Sequence, residues 1–205
     1  MAMKDVSVVL AHGAWADGSS WGRVITALKA EAVRVLAAPL PLTSLADDVA
    51  ALNRSLDRTE GPIVLAGHAY AGAVIALARP ERVKALVYIT ALAPDKGEKV
   101  ADVFYHLEPH PQAPKLAPDN NGLIWLPEGA FATAFAQNAS AEDCAVLAAR
   151  AAADIAELHH SCCRAPALEG HPELVSGSRR RSNDRPQDAA LYGGAHEGED
   201  KGARC

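Results

Sequence analysis

Two rhythms of apolar residues alternate along the N-terminal half of this chain. Short unbroken apolar runs are each followed by a stretch in which apolar residues return every three or four positions. Val6-Ser7-Val8-Val9-Leu10 is the first run, and a β-rich run of this length predicts a buried parallel strand. Ala11 to Trp21 follows as a loop, marked by Gly, Asp and Ser, with Ser19 or Ser20 placed to cap a helix. That helix, about Trp21 to Ala30, gathers Val24, Ile25 and Leu28 on one face. Val33 to Ala38 predicts a second strand, stopped by Pro39 and Pro41. Ser44 then caps a helix from Leu45 to about Arg58, with Leu45, Val49, Leu52 and Leu56 as its apolar stripe. Gly61-Pro62 breaks it.

The next stretch organises the rest. Ile63-Val64-Leu65-Ala66 ends in Gly67, turns through His68-Ala69-Tyr70, and re-emerges as the small-residue helical pattern Ala71-Gly72-Ala73-Val74-Ile75. A strand, a tight turn and a helix with glycine on either side form the layout of a nucleophile elbow, G-x-S-x-G, with Ala69 at its centre. The helix ends before Pro80, and Val83 to Ile89 is a further strand. Strands alternating with helices at this spacing predict an α/β fold, a doubly wound parallel sheet with right-handed crossovers. Beyond Pro94 the texture changes, and residues 95 to about 135 read as a small cap insertion holding His106, His110 and Trp125. Phe131 to Glu157 is alanine-rich and predicts helix, with Ser140 as a start signal. One domain thus covers residues 1–158. Residues 159–205 are dominated by Gly, Arg, Pro, Asp and Glu, with Leu174-Val175 their only apolar cluster, and read as a disordered or out-of-frame tail.

Composition narrows the classes. A chain of 205 residues, 49% hydrophobic and 22% charged, is long enough for one sizeable core. A net charge of -5 argues against nucleic acid or an anionic membrane as partner. No apolar run approaches the roughly 20 residues of a membrane span, and the N-terminus lacks the apolar core of a signal peptide. A cytoplasmic location is expected, with a small molecule as partner and homodimerisation left open. Cys144, Cys162, Cys163 and Cys205 form no disulfide framework. His159, His160, Cys162 and Cys163 come in adjacent pairs, unlike the spaced ligands of a zinc site, so no metal is expected. No cofactor motif is present. Arg179-Arg180-Arg181 is flanked by acidic residues and reads as solvated chain.

Two motifs carry a family resemblance. His12-Gly13-Ala14-Trp15 follows the first strand, and Gly67-His68-Ala69-Tyr70-Ala71-Gly72 forms the elbow about 55 residues later. On these, residues 1 to about 155 resemble the α/β-hydrolase superfamily, in its small esterase, methylesterase and hydroxynitrile-lyase-like branch. The resemblance implies that Ala69 stands at the position of the nucleophilic serine. It implies that the backbone N–H groups of Ala14 and Tyr70 form the oxyanion hole. It also makes His12, Trp15, Trp21, His68 and Trp125 pocket residues; for His12 and His68, simple service to nearby backbone groups is the competing reading. Ala69 carries no proton to abstract, so a Ser-His relay cannot operate. The implied function is hydrolysis of small esters by ancestry, with serine-hydrolase turnover lost. The alternative is a non-catalytic small-molecule binder on the same scaffold.

The family pattern also requires a late acid and histidine. Asp184 or Asp188 followed by His196 keeps that order, though chance accounts for it among so many charged residues. A back-translation of Leu168 onward, read one nucleotide later, can be chosen to spell W-K-D-T-P-S-W-Y-L-V-A-E-E-D-R-M. Continued through Ala203 it gives the amphipathic I-A-P-K-T-Q-R-F-M-A-E-R-M-K-A-K. Strand, acidic loop and helix in succession resemble the family's late elements. They predict a reading-frame shift near residues 150–165, which scrambles the last strands and removes the acid and the histidine.

Overall fold

The computed structural model describes residues 5–95, 97–104, 113–155 and 174–176. Five parallel strands form its centre: β1 (Ser7–Ala11), β2 (Arg34–Ala38), β3 (Ile63–His68), β4 (Val83–Ile89) and β7 (Leu174–Ser176), in the order β2-β1-β3-β4-β7. The register runs Val9 to Leu36 on one side and Val9 to Leu65 on the other, then Leu65 to Leu86. β1 to β4 are the apolar runs read from the sequence; β1 and β3 are largely buried, whereas β2 is half-exposed along most of its length. The helices are α1 (Gly22–Ala30), α2 (Leu45–Asp57), α3 (Ala71–Ala76) and α6 (Ala141–Arg150), with the short α4 (Val100–Phe104) and α5 (Glu128–Ala130). Two starts are capped as the sequence proposed, whereas α1 is not capped by Ser19 or Ser20: Trp21 stands at its N-cap without a side-chain bond, and the Asp17 carboxylate accepts the Ser19 N–H in the turn before it. The Ser44 hydroxyl accepts the Asp47 N–H at 3.0 Å, and the Ser140 hydroxyl accepts the Asp143 N–H at 3.0 Å.

The two faces of the sheet are covered unequally. Val9, Leu65 and Leu86 belong to the main core, where Leu45, Leu52 and Leu56 of α2 and Val74 and Ile75 of α3 pack. On the other face Leu10 and Ala66 are buried under Trp21, with Val8, Val35, Val87 and Ile89 only partly covered. Helix α1 contributes no buried residue, and Val24 is 40% exposed, so the expected apolar face of α1 is only half used.

One further expectation is corrected. The alanine-rich stretch from Phe131 is not one helix. A π turn (Phe131–Phe135) ends at Ala136, α6 starts afresh at Ala141, and Ala151 leaves it in extended conformation. The cap region then pairs β5 (Leu123–Ile124) antiparallel with β6 (Asp154–Ile155). Within the span read as tail, the backbone of β7 joins the sheet edge beside β4, pairing Val87 with Val175. His106, His110, His159, His160, Cys162, Cys163, Asp184, Asp188 and His196 lie outside the described residues.

Candidate active site at the elbow

The C-terminal ends of parallel strands are where helix N-termini and loops converge, and ligands in open α/β sheets bind there. The elbow sits at that edge. Ala69 adopts φ 51°, in the left-handed region, which costs a residue with a Cβ about 1–2 kcal/mol. The turn is held by its neighbours. The Leu92 N–H donates to the Ala69 carbonyl at 3.0 Å, and the Gly72 N–H donates to the same oxygen at 3.1 Å. Both motif glycines are demanded by close approach. A Cβ on Gly67 would lie 2.8 Å from the Ala71 carbonyl oxygen, and one on Gly72 would fall on the Leu92 carbonyl oxygen.

The first loop closes against the elbow from the other side. A Cβ on Gly13 would meet the Ala69 Cβ at 3.0 Å and the His68 carbonyl oxygen at 3.2 Å, so glycine lets the two turns pack closely without either giving way. The structure therefore brings Gly13, His68 and Ala69 together. Ala14, Ala69 and Tyr70 are all buried.

The remaining residues singled out from the sequence divide by what they touch. His12 is buried, and its Nε2 accepts the Leu40 N–H at 3.1 Å. That leaves the ring proton on Nδ1, which faces the Gly13 carbonyl at 3.0 Å. His12 is thus the neutral brace of the competing reading. His68 lies edge-on to Trp21 with ring centroids 6.3 Å apart. The Trp21 indole N–H is buried without a hydrogen-bond partner among the described residues. Trp15, 1% exposed and at φ 54°, donates its indole N–H to the Ile124 carbonyl at 2.9 Å, so it fastens the first loop to the cap strand β5. Arg150 of α6 adds a second fastening, 2.7 Å from the Asp17 carboxylate. Trp125 is 53% exposed and donates to Asp119 at 3.2 Å, which places it on the outside of the cap.

One functional candidate escaped the sequence reading. Asp48, on α2, is completely buried; one carboxylate oxygen accepts the Tyr70 hydroxyl at 2.8 Å and the other accepts the Leu42 N–H at 2.8 Å. The signal was there. Asp48 falls beside Val49 in the stripe of Leu45, Leu52 and Leu56, where a carboxylate needs partners to be tolerated.

Burial pushes the pKa of both His12 and His68 below the ordinary imidazole value, because the charged ring is poorly solvated there. Their folded-state pKa values lie below the unfolded one, so the unfolded chain binds more protons as the pH falls. The melting midpoint is therefore expected to hold above about pH 6.5 and to fall as pH drops below it. His12→Gln, less stable overall, is expected to show a shallower fall between pH 6.5 and 5. A midpoint that rises on acidification over this window contradicts the assignment.

Two cavities, of about 300 Å³ beside Ser7, Arg34 and Arg58 and about 260 Å³ beside Ile63, Arg79 and Arg82, open at the opposite, N-terminal ends of the strands. They are remote from this constellation. Among the described residues, no helix is long and apolar enough to cross a membrane.

With this geometry in place, comparison with known proteins decides the family. The pattern of the Alpha/beta hydrolase family matches residues 8–196. The chain belongs to that family. No curated protein sequence matches it. Solved structures do. A pyrethroid hydrolase from Sphingobium faniae is 22% identical with a TM-score of 0.64, covering 83% of this chain and 77% of that one. A methylesterase from Arabidopsis is 14% identical with a TM-score of 0.66, covering 83% and 76%. A tomato methylketone synthase I variant, in complex with β-ketoheptanoate, is 17% identical with a TM-score of 0.65, covering 76% and 69%. At these identities the likeness is one of fold.

Proposed function

We propose that this chain binds a small ester or related acyl or carbonyl compound above Ala69, and does so without serine-hydrolase turnover. The observation that carries the reading is Ala69 itself. It keeps the left-handed elbow backbone at φ 51° while presenting only a methyl group. The strained turn and the Gly13 contact are retained, so two amide donors can still be aimed at one carbonyl oxygen, those of Ala14 and Tyr70. Such donors polarise a carbonyl and stabilise charge developing on its oxygen without any nucleophile. The solved structures it resembles favour this ligand class, since they include a methylesterase, a pyrethroid hydrolase and a methylketone synthase holding a β-keto acid. With no hydroxyl at position 69, the acyl-enzyme route is closed, and the esterase character is one of ancestry. A non-catalytic binder is the form this reading takes for the chain as written.

The incomplete triad fits a second part of the proposal. A reading-frame shift near residues 150–165 replaces the acidic loop and late histidine with the sequence now found there, although the backbone of Leu174–Ser176 still pairs beside β4. Cytoplasmic residence belongs to the same proposal.

The test uses the full chain. Ethyl butyrate titrated by calorimetry is expected to bind saturably, with a millimolar-range Kd of the kind a small ligand reaches (about -4 kcal/mol). p-Nitrophenyl butyrate is expected to show no burst and no turnover beyond the buffer rate. Absence of saturable binding, or a burst with Ala69 in place, refutes the reading.

A further inference from the structure

The two segments that carry the Ala14 and Tyr70 amides come from different parts of the chain, and a pair of donors works only if their spacing is fixed. The described contacts show what both are tied to. His12, two residues before Ala14, accepts the Leu40 N–H on its Nε2 at 3.1 Å. Asp48, which accepts the Tyr70 hydroxyl at 2.8 Å, takes the Leu42 N–H on its other oxygen at 2.8 Å. Leu40 and Leu42 are two residues apart on one short segment, Pro39-Leu40-Pro41-Leu42, which joins β2 to α2.

This segment is built to be stiff. Pro39 and Pro41 each fix a backbone φ. Leu40 is 6% exposed and Leu42 1% exposed, so both side chains are anchored in the main core. Leu42 sits at φ 56°, a conformation a leucine holds only when its surroundings impose it. The Asp48 carboxylate that receives its N–H is itself fully buried, and a buried carboxylate is held in place by its donors.

We infer that the 39–42 segment is a common frame for the two amide-bearing turns, and that Asp48 is the positioning residue that couples the elbow to it through Tyr70, as His12 couples the first loop. The inference rests on the proposed binding of a carbonyl oxygen between those turns. It adds that the spacing of the donors is set from behind the site, by residues that touch no ligand. The asymmetry of the amide makes Asp48→Asn informative. Its side chain has one accepting oxygen where the carboxylate has two, so the Leu42 N–H and the Tyr70 hydroxyl can no longer both donate to it.

The test is the ¹H–¹⁵N spectrum of the full chain, with ¹³C-carbonyl ethyl butyrate as the probe of the site. Asp48→Asn is expected to move the amide signals of Tyr70 and Leu42 and, through the frame, those of Leu40 and Ala14. Leu52→Val, one turn along α2 in the same core, is expected to leave Ala14 in place. In the parent, the bound ester carbonyl is expected to show a lowered stretching frequency. In Asp48→Asn that lowering is lost and the Kd rises about tenfold. Tyr70→Phe removes only one oxygen and is expected to show the same pattern, so it decides the matter if Asp48→Asn does not fold. If Tyr70 and Leu42 move while Leu40 and Ala14 stay fixed, the common frame is refuted. If the parent binds no ester, the functional reading fails, while the amide shifts still decide for or against the frame.

Discussion

Replacing Gly72 with alanine is expected to leave little soluble, folded protein. The added Cβ falls on the carbonyl oxygen of Leu92, and 2.9 Å from the Ala91 Cβ. Neither neighbour is the loose end of a side chain. Leu92 is held where it is by its own N–H, which donates to the Ala69 carbonyl at 3.0 Å. Gly72 is held against it from below, since its N–H shares that same oxygen at 3.1 Å. Relief requires the elbow helix and the loop after β4 to part, and parting them breaks the turn between them. Overpacking a core commonly costs about 1–3 kcal/mol when side chains can adjust. Here backbone has to move on both sides, so a loss at or above the top of that range is expected, a large fraction of a typical total of about 5–15 kcal/mol. Urea denaturation measures it, or the soluble fraction if no folded variant is recovered. A midpoint close to that of the parent overturns the argument, because it requires the helix to be free to slide.

That result bears on how the elbow motif is read. Its two glycines are explained by packing alone: Gly67 by the Ala71 carbonyl and Gly72 by the Leu92 carbonyl. They report fold. Only the residue between them reports chemistry, and there the sequence carries alanine. Much of the fold was therefore legible from local signals. The apolar runs marked β1 to β4, Ser44 and Ser140 marked two helix starts, and Gly61-Pro62 marked a break. What local signals could not show was which faces find partners. Val24, Ile25 and Leu28 lie at helical spacing, yet α1 buries none of them. Burial depends on what packs across the sheet, and that is set by distant chain. The alanine-rich stretch was misread for a related reason. Alanine favours helix everywhere, so it carries no information about where the chain must turn to bring β6 beside β5. The site itself was half legible. Gly13 and Ala69, each inside a motif the sequence displays, meet in the structure, but Trp15 and Asp48 act through contacts 109 and 22 residues away, with Ile124 and Tyr70. No spacing rule within one motif can reach those pairs.

The largest change in activity is expected from Ala69→Ser, and its size depends on the frame in which the last part of the chain is read. The backbone is ready for the substitution. Position 69 already holds φ 51°, the left-handed backbone of the elbow, and the substitution adds a single oxygen. A hydroxyl alone is a weak nucleophile and needs a base. His12 does not supply one, because its Nε2 lone pair is engaged by the Leu40 N–H. His68 is packed edge-on to Trp21. In the chain as written, Ala69→Ser is therefore expected to raise p-nitrophenyl butyrate hydrolysis by no more than about tenfold. The acid and histidine that orient and deprotonate a nucleophile account for most of the roughly 10⁶-fold that a triad contributes. In a chain restored to the neighbouring frame, the same substitution is thus expected to give at least about 10³-fold, with a burst of p-nitrophenol equal to the enzyme present. If the chain as written already shows that gain, the acid and histidine come from its own tail, with Asp184 or Asp188 and His196 as the candidates, and the reading-frame proposal falls. If the restored chain gains nothing, the surroundings of Ala69 were never arranged for ester cleavage, and binding alone is left as the proposed function of the site.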